Sequence, residues 1–302
     1  TEAMNSQRLF IFILLLIPWL VVAQNNRKKT EESSIAETSF FLADISFVND
    51  AVFMGRTDSI AAPYILPSFG YYDKSGFFVD ASLSYLVSSQ ENRVDLFLGS
   101  TGFLFSGDPL SGGISGTVYF FNEDSYNVKS MVVGDISGFL SYDFKIAEVS
   151  LLASTYFNDG SSTDIFMGLM LDRMFYNKDR SFFIDPMITV YAGTQYFYQE
   201  YYRTSRLGNR KDQGQGGGSS IPVMQTNVDI QEVSEFNILN IELSVPLYYS
   251  HKNFVFSFTP AHALPQSSAT LITEDAVIEE DLQSTFYFSV GVSYFLRTKK
   301  SN

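Results

Sequence analysis

The chain has 302 residues, a formal net charge of -13 and no cysteine. These facts exclude disulfides, thiolate metal sites and cysteine nucleophiles, and they argue against nucleic acid as a partner, since phosphate binding needs clustered Lys and Arg. Aromatic residues make up 16% of the chain (Phe 29, Tyr 18), while mean hydropathy stays near zero, too low for a multi-helix membrane protein.

Residues 1–23 read as a cleavable signal peptide with extra N-terminal residues before Met4. Arg8 supplies the positive flank and Phe10 to Val22 the apolar run; Val21 and Ala23 occupy the small-residue positions before cleavage at Gln24. The run is shorter than the ~20 residues a spanning helix needs. Residues 24–35 form a polar, flexible periplasmic lead-in.

From residue 36 onward the dominant pattern is period-two alternation. In 132–144, for example, Val133, Asp135, Ser137, Phe139, Ser141 and Asp143 share one face, opposite Ile136, Leu140 and Tyr142. Twelve strands are predicted, near 38–49, 64–72, 76–87, 93–106, 113–122, 128–144, 147–157, 163–175, 182–200, 234–250, 253–263 and 284–297. Every second connection is short (73–75, 106–112, 145–146, 177–181, 251–252), and the long ones (50–63, 201–233, 264–283) all fall between them. Outer-membrane barrels sort their loops in this way, with short periplasmic turns and longer external loops. A sheet in lipid must pair every backbone group internally, so it must close. The fold class is therefore all-β: a transmembrane antiparallel β-barrel of about 12 strands over 36–297, with a periplasmic tail at 298–302 and both termini periplasmic. Tyrosines near strand ends, such as Tyr64, Tyr71, Tyr72, Tyr248 and Tyr249, fit an interfacial girdle. On the closing strand, Phe286, Phe288, Val290, Val292, Tyr294 and Leu296 are expected to face acyl chains.

The signal peptide, the twelve alternating strands and the closing aromatic strand together resemble the outer-membrane β-barrels of Gram-negative bacteria. Gly291, Tyr294 and Leu296 resemble the C-terminal signal read by the barrel-insertion machinery, although the chain continues six residues further. The stretch 66–86, with Gln24 after the signal Ala, is similar to barrels from Bacteroidota. The resemblance implies an integral outer-membrane location and no particular activity.

The predicted inner face is acidic: Asp44, Asp80, Asp95, Asp135, Asp143, Glu148, Asp164, Asp172, Asp185 and Glu242, against few basic residues (Arg93, Lys129, Arg173). The plain reading is a polar interior with partly paired charges. The sharper one is an acidic pore that favours cations. A carboxylate calcium site has no ligand loop of recognised spacing to support it. The same face carries bulk, including Phe78, Leu86, Phe97, Phe139, Tyr191, Phe197 and Phe295, which points to a partly filled lumen. Only His251 and His262 could serve a nucleophilic serine as base, in a turn and near the outer rim. Pro186, Pro246 and Pro260 fall inside strands and mark bulges or weak pairing. Loop 50–63 is apolar for an exposed segment, so it is expected either to plug the mouth or to meet another protein.

The expected function is a non-catalytic, accessory subunit of a larger outer-membrane assembly for protein export, barrel insertion or nutrient import. The alternative is a passive pore for small, preferably cationic solutes, and the third reading is an outer-leaflet lipid-modifying enzyme. No cofactor or metal is expected. The expected partners are outer-membrane lipid, other outer-membrane proteins and the insertion machinery.

Overall fold

Alternating side chains commit a strand to two faces, and the pairing register shows which face is which. The computed structural model describes residues 38–297 except 58–61, 89–91, 124, 126, 128, 130, 160–162, 198–228, 231–233, 269, 273–276 and 281. The signal peptide, the lead-in, the tail and most of loop 201–233 lie outside the described residues. No described helix is long and apolar enough to cross a membrane, which says nothing about strands.

The strands are β1 (Phe40–Val48), β2 (Tyr64–Tyr72), β3 (Phe77–Val87), β4 (Asn92–Ser106), β5 (Leu110–Phe121), β6 (Val132–Asp143), β7 (Glu148–Asn158), β8 (Thr163–Asp172), β9 (Phe175–Tyr176), β10 (Phe182–Ile184), β11 (Met187–Gly193), β12 (Asp229–Ile230), β13 (Asn237–Ser244), β14 (Leu247–His251), β15 (Phe254–Pro265), β16 (Thr270–Ile272), β17 (Val277–Glu279) and β18 (Thr285–Arg297). β12, β16 and β17 form a small separate sheet, and the others build one antiparallel wall. β1 pairs with β18, while β13 pairs with both β11 and β15, so the wall closes on itself. Each of the pairs β8/β9, β10/β11 and β13/β14 is one interrupted stave, which gives twelve staves in all.

Two of the three interruptions fall at prolines, which cannot donate to a ladder. β10 and β11 part at Asp185–Pro186, and β13 and β14 at Val245–Pro246. The proline carbonyls still accept bonds from neighbouring staves: Arg173 N–H to Pro186 O (3.3 Å), Asp185 N–H to Pro246 O (2.9 Å) and Val245 N–H to Pro260 O (3.1 Å). The wall is therefore weakened along this seam but not opened.

The connections 73–76, 107–109, 144–147, 177–181 and 252–253 gather at one end, called the turn end; the other connections gather at the loop end. Gly76 in the first of these turns has φ +98°, and a Cβ there would lie 1.9 Å from the Leu104 carbonyl oxygen, so only glycine fits.

Two strand boundaries and one facing differ from the sequence-based expectation. The strand predicted at 128–144 starts only at Val132; before it, Asn122 and Ser125 are held over Asp95 by hydrogen bonds to its backbone and side chain. The strand predicted at 182–200 stops at Gly193, where Asp164 captures the amides of Tyr196 and Phe197 at the start of a helical turn. Phe97, expected in the lumen, faces outward. A bulge at Asp95 between β3 and β4 reverses the parity of everything after it, and Phe97 pairs with the outward Phe120.

The outward face is an apolar belt. Ile114 (59%), Phe120 (60%) and Phe286 (61%) are the kind of large exposed side chains that recur round the whole wall. A continuous exposed apolar surface of this extent suits lipid and not water.

Candidate functional site

The loop end is roofed by the chain's own first connection. Asp50 Oδ1 accepts the amides of Ala51 and Ala62 (both 2.9 Å), which fixes the base of that loop. Phe53 and Arg56 exchange backbone hydrogen bonds of 2.9 and 3.0 Å around Met54 (φ 50°) and Gly55 (φ 80°). Two successive positive φ values are the signature of a tight type I′ hairpin turn. A Cβ on Gly55 would meet the Pro265 side chain at 2.9 Å.

This hairpin is seated at two points. Phe53 lies among Phe197 (centroids 5.0 Å), Phe166 (5.7 Å) and Tyr156 (5.7 Å), all edge-to-face. Such pairs contribute about 0.5–1.5 kcal/mol each beyond burial. Arg56 is buried: its guanidinium donates to Gln195 Oε1 (2.6 Å) and Ser267 O (2.8 Å) and pairs with Glu280 (3.1 Å). The expectation for loop 50–63 divided between a plug and an interface; the described part of the loop is folded inward.

Lys129 closes over the seat. Its ammonium sits 4.2 Å from the Tyr119 ring centre, 4.5 Å from Tyr156 and 5.1 Å from Phe53, and donates to the Tyr119 hydroxyl at 2.7 Å. The Tyr119 hydroxyl in turn donates to Asp135 (2.6 Å). Burial pushes the Lys129 ammonium down to about 7, and the Asp135 carboxylate acts against that push. The ring faces also favour the charged form.

The predicted acidic lining separates into groups. Near the loop end, Asp95 is buried, accepting from Tyr64 (2.5 Å) and Ser125 (2.6 Å) and paired with Arg93 (3.1 Å). Asp164 is buried under Asn158, Thr194 and the amides of Tyr196 and Phe197. Asp135 is held by Tyr119 and Ser137. These three carboxylates pin the loop end together and are not open lining. Midway, Asp80 accepts from Tyr72 (3.3 Å), Asp44 from Ser293 (2.5 Å), and Glu242 from Tyr287 (2.8 Å).

At the turn end the pattern reverses. Asp143 stands opposite Glu148, and Glu148 opposite Asp172, in one inward row, with Asp185 close by on the next stave. No ion pair joins any of the four to a cation among the described residues, and no group of three described side chains has metal-ligand geometry. The prolines next to Asp185 and the interruption after Asp172 place this row at the seam.

Between roof and row lies a cavity of about 380 Å³, lined by residues including Phe53, Met54, Phe139, Phe166, Tyr191, Asn240 and Glu242. Sequence reasoning missed Asn240, Lys129 as part of the roof, and the Arg56 anchor. All three depend on contacts between residues far apart in the chain. Of the insertion-signal residues, Gly291 faces inward, packed against Ser257 and Ser46, while Tyr294 and Leu296 face outward.

No protein-family model and no curated protein matches the sequence. Among solved structures the chain is similar to the KdgM porin (10% identity, 84% of this chain and 98% of that one, TM-score 0.45). It is similar to the NanC porin as well (9%, 84% and 98%, 0.45). A third likeness is to LpxR from Salmonella typhimurium (11%, 84% and 100%, 0.41). At these identities the likeness is one of fold alone. The chain itself is a closed, all-β antiparallel barrel of twelve staves.

Proposed function

We propose that this protein is a narrow outer-membrane pore for small, preferably cationic solutes, roofed at the loop end by the hairpin at 53–56. The observation that carries the reading is the row Asp143, Glu148, Asp172 and Asp185, which faces the lumen with no basic partner among the described residues. Uncompensated carboxylates on a low-dielectric wall favour cations over anions at that depth. In this reading the turns and both termini are periplasmic, and the roof faces outside. The tight turns and the signal-like N-terminal sequence support that orientation.

The accessory-subunit reading drew on an apolar first loop free to meet a partner and on a bulky lumen. The described part of the loop is turned inward, which weakens the first support; Phe97 is on the outer face, but Phe78, Leu86 and Phe197 stay buried. The enzyme reading needs a base near a nucleophile. His262 points outward, level with Leu243 and Phe286, away from the hydroxyls of the inner wall.

The test is the reversal potential of the purified barrel in a planar bilayer under a KCl gradient. A potential displaced towards the potassium equilibrium value supports the reading. Substituting Glu148→Gln, Asp172→Asn and Asp185→Asn together should lower the K⁺/Cl⁻ permeability ratio at least about threefold. An unchanged ratio would count against it.

A further inference from the structure

One charge stands on the wall that faces lipid. The outward column of β8 runs Ile165, Met167, Leu169 and Leu171, all exposed, and the next residue in that alternation is Arg173. Phe175 follows on β9 and is exposed as well. Arg173, expected among the inner-face charges, is therefore outward, and it gives the inward Asp172 no ion pair. Beside it on the flanking staves are Ala147 and Pro186, and the Pro186 carbonyl accepts the Arg173 amide at 3.3 Å. Together with Leu171 and Ile188 these residues frame a groove of about 280 Å³ in the outer wall. Asp172 and Met187 lie at its floor with their side chains turned to the lumen. Arg173 is half-buried in the groove, and its guanidinium has no acceptor among the described residues.

A guanidinium cannot shed its charge, and an Arg on the lipid face of a barrel is more destabilising the further it lies from the interface. The described chain offers this one no counter-charge, so the membrane must. We infer that the groove binds one anionic glycerophospholipid, its phosphate held by the Arg173 guanidinium and an acyl chain laid along Leu171 and Ile188. The guanidinium fork matches two phosphate oxygens. An inorganic anion would have to pass the apolar rim at Phe175, whereas a lipid phosphate arrives with its own chains. The turn end supplies separate charge complementarity. Lys145, Arg180 and Lys252 take left-handed φ values of 70°, 54° and 55° in three of its turns, where glycine is the less strained residue. All three are exposed and none has an ion pair among the described residues. Cations at the level of the headgroups favour anionic lipid. Arg173 lies deeper along the same end of the wall, where a lipid seated in the groove brings its phosphate.

Native mass spectrometry tests it, on the purified barrel released from micelles that hold equimolar phosphatidylglycerol and phosphatidylcholine with the same chains. The native chain should retain phosphatidylglycerol over phosphatidylcholine by about fivefold. Arg173→Gln should erase that preference, and Arg173→Lys, which keeps the charge and loses the fork, should fall between. Ala147→Phe fills the groove and leaves the charge, and it should lose the bound lipid too. Lys252→Gln, at another turn, should keep the native preference. Heat-modifiable gel migration checks that each variant is a folded barrel. Equal retention of the two lipids by the native chain, an unchanged preference in Arg173→Gln, or an equal loss in Lys252→Gln overturns the site. The inference uses the lipid-facing wall and not the pore. Arg173→Gln should keep the native KCl reversal potential, so either reading can fail without the other.

Discussion

The two ends of the barrel use the same residue type in opposite ways. At the loop end, Asp95, Asp135 and Asp164 are each enclosed by hydroxyls, amides or a cation; Asp95 and Asp164 tie a connection down, and Asp135 holds Tyr119, the hydroxyl that Lys129 bonds. At the turn end, Glu148, Asp172 and Asp185 have no such partners among the described residues and face the lumen. An aspartate on an inward face is thus either a staple or a field source, and only its partners decide which. The loop end is held together by satisfied charge; the turn end carries acids that no described cation balances.

The largest expected effect comes from unseating the roof. Arg56→Ala removes a buried guanidinium and leaves Glu280 and Gln195 without it. Breaking a buried pair costs about 3–5 kcal/mol, enough to populate an open mouth, so single-channel conductance should rise several-fold with the fold intact by circular dichroism. Neutralising the turn-end row should change selectivity and leave conductance of the same order; a change in conductance alone would erase the distinction between the ends. Phe53→Ala removes three edge-to-face contacts, roughly 1.5–4.5 kcal/mol in sum at most. It should give brief openings visible as added current noise, fewer than in Arg56→Ala because the guanidinium anchor remains.

The smallest effect is on pH. Lys129 titrates near 7 in its seat, against about 10.5 when freed into solvent. The open form therefore binds more protons between those values, and opening becomes less favourable as pH rises through that window. Below 7 the dependence flattens. Open probability should thus fall from pH 7 to 10 in the native chain and lose that slope in Lys129→Met.

Much of the fold was legible because period-two alternation and the sorting of loop lengths are local signals. β18 needs no tertiary information: Phe286, Val290 and Leu296 alternate with Tyr287, Gly291 and Ser293, and the structure sets them on opposite faces. What escaped was every feature that depends on a partner distant in sequence. The bulge at Asp95 left no mark in 93–106, yet it turned Phe97 to the outside. Arg56 looked like one polar residue in an apolar loop, and its anchors lie 139 to 224 residues away. The acids were all visible, but their division into staples and lining was not. Alternation gives the face of a side chain and says nothing about what covers it.

The roof at one end and the acidic row at the other, without a cationic partner among the described residues, act separately. The most direct test of this is a paired bilayer recording of the native chain and Arg56→Ala under a KCl gradient. The expected result is a larger conductance in the variant with the same cation-directed reversal potential in both, since the roof sets the opening and the row sets the sign. Equal conductance in the two proteins, or a reversal potential at zero, would contradict it.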